Sequence, residues 1–388
     1  MTAEISGNRW SWAAYLGASW TWCIGMFLPV LLIRDYGAWA WVIFALPNAV
    51  GAAAMGWVMR SQTMSHEYTI RHASACRLFS FVTIAFQLFF ATWMLPRLVG
   101  PIGYIGAAII VQSAFTPVTK SNWLRIGGAA ALLISVGLAA GLGLEGTLRW
   151  PNAKAFQAID AVGLLLVCLA GFIACPYLDL TFHRARQQTT DRDAKFSFGI
   201  GFCVLFFSMI VLTFFYALPM HWLDVDEGNG LRTIARILIA IHLAVQMIYT
   251  VHVHSDELVR QSESRDDAGV MRAGLSLWLA IGLAGGLFGT FALQHGWDSH
   301  GRSLGEACYR VFMSFYGLLF PAYVLLAVRK PRVHVVGWLT ISALAAPFYW
   351  LAFLEAKMAW ASVGVAVIVV GAIVVRRLTP PASVQPFE

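Results

Sequence analysis

The chain is poor in charge: 27 Lys and Arg and 20 Asp and Glu make up 12% of its 388 residues, where a soluble domain carries roughly a quarter. So few charges cannot coat a water-soluble globule of this size, and that class is excluded. The formal charge of +7 is dispersed in short clusters between apolar runs. A nucleic-acid partner needs Lys and Arg gathered into a patch or stripe, so none is expected. The six cysteines, Cys23, Cys76, Cys168, Cys175, Cys203 and Cys308, form no CxxC pair and no Cys/His ligand spacing, so neither a disulfide framework nor a metal site is expected. There is no Gly-x-x-x-x-Gly-Lys-Ser/Thr string, and nucleotide-driven chemistry loses its phosphate cradle.

What is abundant is apolar: 59% of the residues are hydrophobic, with 34 Gly, 26 Phe and 16 Trp. Runs of about 20 such residues cross the hydrocarbon core of a bilayer. Twelve are read here, over 10–33, 38–59, 78–95, 102–118, 126–144, 159–182, 196–217, 233–253, 273–293, 307–328, 333–354 and 358–375. With the N-terminus inside, the basic clusters Arg60, Arg71 and Arg77, then Arg184, Arg186, Arg192 and Lys195, then Arg260, Arg265 and Arg272 all fall on the cytoplasmic side. That obeys the positive-inside rule and puts both chain ends in the cytoplasm. The first span lacks a cleavage-site pattern and is read as a retained helix. The expectation is an all-α integral membrane protein of about twelve helices, located in a bacterial inner (plasma) membrane, with the lipid bilayer and a small-molecule substrate as its partners. One domain over 1–377 is expected, followed by a short tail over 378–388.

Two architectures share twelve spans with both ends inside: a pair of six-helix halves, and a five-plus-five inverted repeat followed by two extra helices. Irregular backbone at membrane depth survives only where it lines a cavity, so helix breaks discriminate between them. In the first span Gly25-Met26-Phe27-Leu28-Pro29 sets Gly and Pro four residues apart, and in the sixth Gly171-Phe172-Ile173-Ala174-Cys175-Pro176 does the same. Gly relaxes the backbone and Pro removes an amide donor. The two spans lie five apart and cross in opposite directions, as an inverted five-helix repeat requires. On these residues the chain resembles the LeuT-fold secondary transporters, the superfamily of the amino acid-polyamine-organocation and sodium/solute symporter families. The resemblance implies repeats over 10–144 and 159–328, extra helices over 333–375, and a solute site between broken helices one and six. Gly and Pro are also common as simple kinks in transmembrane helices, which keeps the six-plus-six plan of a major-facilitator-like carrier as the alternative.

The site residues expected for a solute are Trp22, Gly25, Met26, Phe27, Gln87, Ala174, Cys175 and Tyr177. Ionisable or polar groups inside a span are costly and are read as functional. Asp179, one turn past Pro176, is either a coupling carboxylate exposed by the unwound segment or a partner of His183 or Arg184. On span eight, His242, Gln246, Tyr249 and Thr250 share one helical face. They either couple an ion or tie helices together by hydrogen bonds. The resemblance implies hydroxyl ligands for sodium on this helix, but only Thr250 supplies one in the inner half, with no Ser beside it. Asp179, His242, Gln246 and Thr250 are the expected ion-coupling residues, with Na+ or H+ as the ion and no other cofactor. Gln112 and Ser113, and Ser314 and Tyr316, either line a pocket or glue helices together. The expected function is ion-coupled transport of a small organic solute such as an amino acid or amine. A non-transporting sensor or assembly subunit is the alternative; the catalytic inventory is too thin for an enzyme.

Overall fold

The computed structural model describes residues 8–116, 121–144, 156–221, 233–262, 265–299, 302–327 and 333–378. Inside hydrocarbon every backbone N–H and C=O must be paired within its own segment, and apart from two two-residue strands the chain solves this with helices. In order these are α1 (Arg9–Ser19), α2 (Cys23–Tyr36), α3 (Ala38–Val58), α4 (Gln62–Arg71), α5 (Ala73–Val99), α6 (Gly103–Phe115), α7 (Ser121–Leu144), α8 (Ala158–Ala174), α9 (Leu180–Gln187) and α10 (Asp191–Ile200). A π-helical turn over Gly201–Phe206 leads from α10 into α11 (Phe207–Val211) and α12 (Thr213–His221). Then come α13 (Thr233–Arg260), α14 (Arg265–Gln294), α15 (Leu304–Ser314), a second π-helical turn over Phe315–Leu319, α16 (Phe320–Ala327), α17 (Val335–Phe353) and α18 (Trp360–Leu378).

Among the described residues, ten helices are long and apolar enough to cross a membrane, and the bent pair α1 and α2 makes an eleventh. This count takes 73–115 as one span, although that stretch holds two helices joined at Gly100–Ile102. The shorter of them, α6, has 13 residues and rises about 20 Å, less than a bilayer core. Residues 117 and 118 of the expected fourth span, 328 of the tenth and 379–388 of the expected tail lie outside the described residues.

The packing repeats itself across the two halves. Helix α3 lies along α8, and its counterpart α10 with the π turn lies along α1; α5 lies along α14, and α13 lies along α6. Two of these contacts are backbone against backbone. A Cβ on Gly51 of α3 would stand 2.6 Å from the Phe172 carbonyl oxygen of α8, and one on Gly17 of α1 would stand 2.9 Å from the Gly201 carbonyl oxygen. Small residues let the helices holding the two breaks approach this closely. Helices α17 and α18 pack on each other, and α18 on α8; large apolar side chains such as Leu344 and Val370 are left exposed on their surface, as a lipid-facing layer requires.

Candidate functional site

The two breaks face each other. Between α1 and α2 the chain bends by 53° at Trp20, Thr21 and Trp22. Side chains close off the carbonyls that end α1. Ser19 Oγ donates to the Leu16 carbonyl at 3.1 Å and Thr21 Oγ1 to the Gly17 carbonyl at 2.7 Å, and the Trp22 indole N–H donates to the Ser19 carbonyl. Ser and Thr offer the backbone this alternative to continuing a helix. No side chain caps α2, which begins at Trp22 in extended conformation, so the amides of its first turn present donors and a partial positive charge. The unwinding expected over Gly25–Pro29 therefore sits a few residues earlier. Gly25 to Pro29 are helical, because Pro29 lies far enough into α2 for its ring to be accommodated as a helix-internal proline.

The second break is where Gly171–Pro176 placed it. Helix α8 ends at Ala174, a 3-10 turn runs over Cys175–Leu178, and Asp179 is extended at the start of α9. Unlike the first break this one is capped: Asp179 Oδ1 accepts from Thr181 N at 2.8 Å and from Thr181 Oγ1 at 2.7 Å.

A cavity of about 10 Å³ lies between the breaks, lined by Trp20, Trp22, Ile24, Gly25, Asn48, Phe172, Cys175 and Tyr316. That is about room for one water molecule. The Trp20 indole donates to Asn48 Oδ1 at 2.8 Å, the Cys175 thiol donates to the Tyr316 carbonyl at 3.3 Å, and the Trp22 ring meets Tyr316, Phe79 and His254. A second, apolar cavity of about 50 Å³ lies between α2, α8 and the α15–α16 rod, and Phe172 and Tyr316 line both.

Beyond that second cavity the end of α2 is tied to α15. Arg34 grips Glu306 with both terminal nitrogens, at 2.8 and 2.6 Å, and its Nε donates to Asp35 at 2.9 Å. Arg310 donates to Asp35 at 2.6 Å, to Glu306 at 2.8 Å and to the Phe353 carbonyl at 2.9 Å. Arg302 stands 3.3 Å from Glu306 and donates to the Leu354 carbonyl at 2.9 Å. On the opposite side of the breaks, Arg184 of α9 stands 4.0 Å from Glu257 of α13, both nearly buried. There, His183 bonds Ser65 of α4 at 2.8 Å and the Tyr177 carbonyl at 2.9 Å.

Of the residues expected for solute, Trp22, Gly25 and Cys175 line the central cavity. Ala174 is buried beside it. Met26 offers its carbonyl to Tyr216 at 2.8 Å, and Phe27 packs on Phe90, Trp93 and Tyr309. Tyr177 faces Tyr68. Gln87 is fully buried with neither amide atom paired. Of the ion-coupling set, His242 Nδ1 bonds Ser135 of α7 at 2.9 Å and Gln246 donates to the same hydroxyl at 2.8 Å. The Thr250 hydroxyl is buried without a partner. Asp179 Oδ2 is likewise unpaired and stands 4.0 Å from His254 Nε2, both side chains having no exposed surface.

Five residues at the site, Trp20, Ile24, Asn48, Phe172 and His254, were not among those expected for solute or coupling. His254 falls where a polar cytoplasmic stretch begins, yet α13 continues to Arg260 and buries it. The spacing of four that links His242, Gln246 and Thr250 would have reached it. Asn48 is the single amide in the apolar run of α3, which is the signal it carried. Phe172 carried only its place inside the Gly171–Pro176 break motif.

No protein-family model matches the chain, and neither does any curated protein sequence. Among solved structures the fold is similar to that of a Na+-coupled sialic acid symporter in a substrate-bound outward-open state, at a TM-score of 0.51 and 12% identity over 97% of this chain and 91% of that one. It is also matched to a nucleobase-cation-symport-1 family transporter in a closed conformation with bromovinylhydantoin bound, at a TM-score of 0.49 and 13% identity over 96% of this chain and 92% of that one. The chain is an all-α polytopic membrane protein with the LeuT fold, an inverted five-plus-five repeat followed by two C-terminal helices.

Proposed function

We propose that the protein is an ion-coupled secondary transporter that carries a small organic solute by alternating access, both chain ends facing the cytoplasm. The observation that carries this reading is the pair of breaks with one cavity between them, lined by residues of both and flanked by the uncapped first turn of α2. An amino acid or amine suits that chemistry. A carboxylate would accept from the amides at the start of α2, and an ammonium group would lie against the faces of Trp20 and Trp22. The apolar cavity behind Phe172 and Tyr316 supports an entry path from the α15 side, barred by the Arg34, Asp35, Glu306 and Arg310 ion pairs. Asp179, Thr250, Gln246 and His242 are the proposed coupling residues. His242 lies about 18 Å along α13 from His254, so coupling at the break falls to the inner end of the stripe.

The test is uptake into proteoliposomes from a panel of labelled amino acids and amines, with Na+ and H+ gradients imposed separately. Accumulation driven by one gradient, and lost in Asp179→Asn, is the expected result. No accumulation of any solute with either gradient would overturn the reading.

A further inference from the structure

We propose that Asp179 and His254 together hold one exchangeable proton, so that the coupling ion of the proposed transporter is H+. Asp179 Oδ1 is occupied by Thr181, which leaves Oδ2 without a partner, and His254 Nε2, also unpaired, stands 4.0 Å from it. The gap is about 1 Å longer than a hydrogen bond, and a small rotation of either side chain closes it. His254 Nδ1 is bonded to Ser80 Oγ of α5 at 3.1 Å, which orients the ring with Nε2 toward the carboxyl.

A buried unpaired charge is costly, so a state with one proton between the two groups is favoured over none or two. That proton sits on Oδ2, with Nε2 as acceptor, or on Nε2 as imidazolium beside the carboxylate; in both forms the pair is neutral. The other titratable groups whose fields reach Asp179 are Cys76 of α5, Cys175 of its own break, Tyr316 and Glu257. Arg184 faces Glu257, and around the imidazole stand the rings of Trp22 and Phe79. A hard metal cation asks for several oxygen ligands. Here the pair itself offers one oxygen and one ring nitrogen, and among the described residues no group of three His, Cys, Asp or Glu side chains could hold a metal ion.

Infrared difference spectroscopy of the full chain reconstituted in lipid, titrated with pH in choline chloride, tests this. The carboxylic C=O band and the imidazole ring bands are expected to change in one common step. Asp179→Asn removes the C=O band and displaces the ring step by at least one pH unit, a tenfold change in proton affinity. His254→Gln displaces the C=O step by as much. Glu67→Gln, on the exposed face of α4, or NaCl in place of choline chloride, leaves the common step where it was. Two separate steps, each indifferent to loss of the other residue, would overturn the proposal, as would a C=O band that persists in Asp179→Asn or a step moved by Na+. The use made of the proton rests on the transporter reading. The titration does not: it succeeds or fails whether or not any solute is accumulated.

Discussion

Two polar clusters flank the central cavity, one partly exposed and one buried, and they are built in opposite ways. At the α2–α15 end, Arg34, Asp35, Arg302, Glu306 and Arg310 satisfy one another and two backbone carbonyls. At the α9–α13 end, Asp179, Arg184, His254 and Glu257 each carry a buried polar atom with no partner. A fully satisfied network is rigid and holds one arrangement, whereas a partly satisfied one waits for a proton, a water or a movement. On the proposed transporter reading, the first cluster is a lock on one side of the site, and the second is where the site changes state.

The largest predicted effect breaks the lock. Glu306→Gln removes the carboxylate shared by three guanidinium groups and is expected to destabilise the closed form by about 3 kcal/mol, read as a lower Tm in detergent. The same change at the other cluster sharpens the contrast: Glu257→Gln is expected to cost only about 1 kcal/mol, because its oxygens meet Arg184 and Arg260 at 4.0 and 3.9 Å without a hydrogen bond to lose. Between these lies Asp179. Asp179→Ala uncaps α9 and is expected to cost about 1 kcal/mol, while Asp179→Asn keeps the cap and most of that stability, so any loss of uptake in Asp179→Asn reports on the charge. The smallest effect on stability, within about 1 kcal/mol, is expected for Gly25→Ala. Its new methyl would stand 3.2 Å from the Phe206 ring and beside the cavity, so uptake, measured in proteoliposomes, should fall while Tm holds.

The fold was legible because membrane burial forces it: long apolar runs must be helices, and oppositely directed helices with matching Gly and Pro imply an inverted repeat. The second break was legible because Pro176 has no amide to give. The first was displaced because hydroxyls and an indole make it, at Ser19, Thr21 and Trp22, and no pattern of Gly and Pro marks such a cap. His254 was hidden by its charged neighbours, since Asp256, Glu257 and Arg260 read as a loop until α13 is seen to continue and bury Asp256 and Glu257. The lock joins Arg34 to Glu306 across 272 residues. Each residue alone is an ordinary charge near a span end, and only the packing of α15 beside α2 makes them a pair.

The central claim is that the cavity between the breaks opens alternately to the two sides, and Cys175 reports on it directly. In a chain whose other five cysteines are replaced by alanine, a membrane-impermeant maleimide is applied from each side of sealed vesicles in turn. Cys175 is expected to label slowly from either side, with Glu306→Gln raising the rate from the α15 side and lowering it from the other. A thiol that stays unreactive from both sides in both proteins would mean that the breaks are fixed bends in a closed bundle, and would contradict the account.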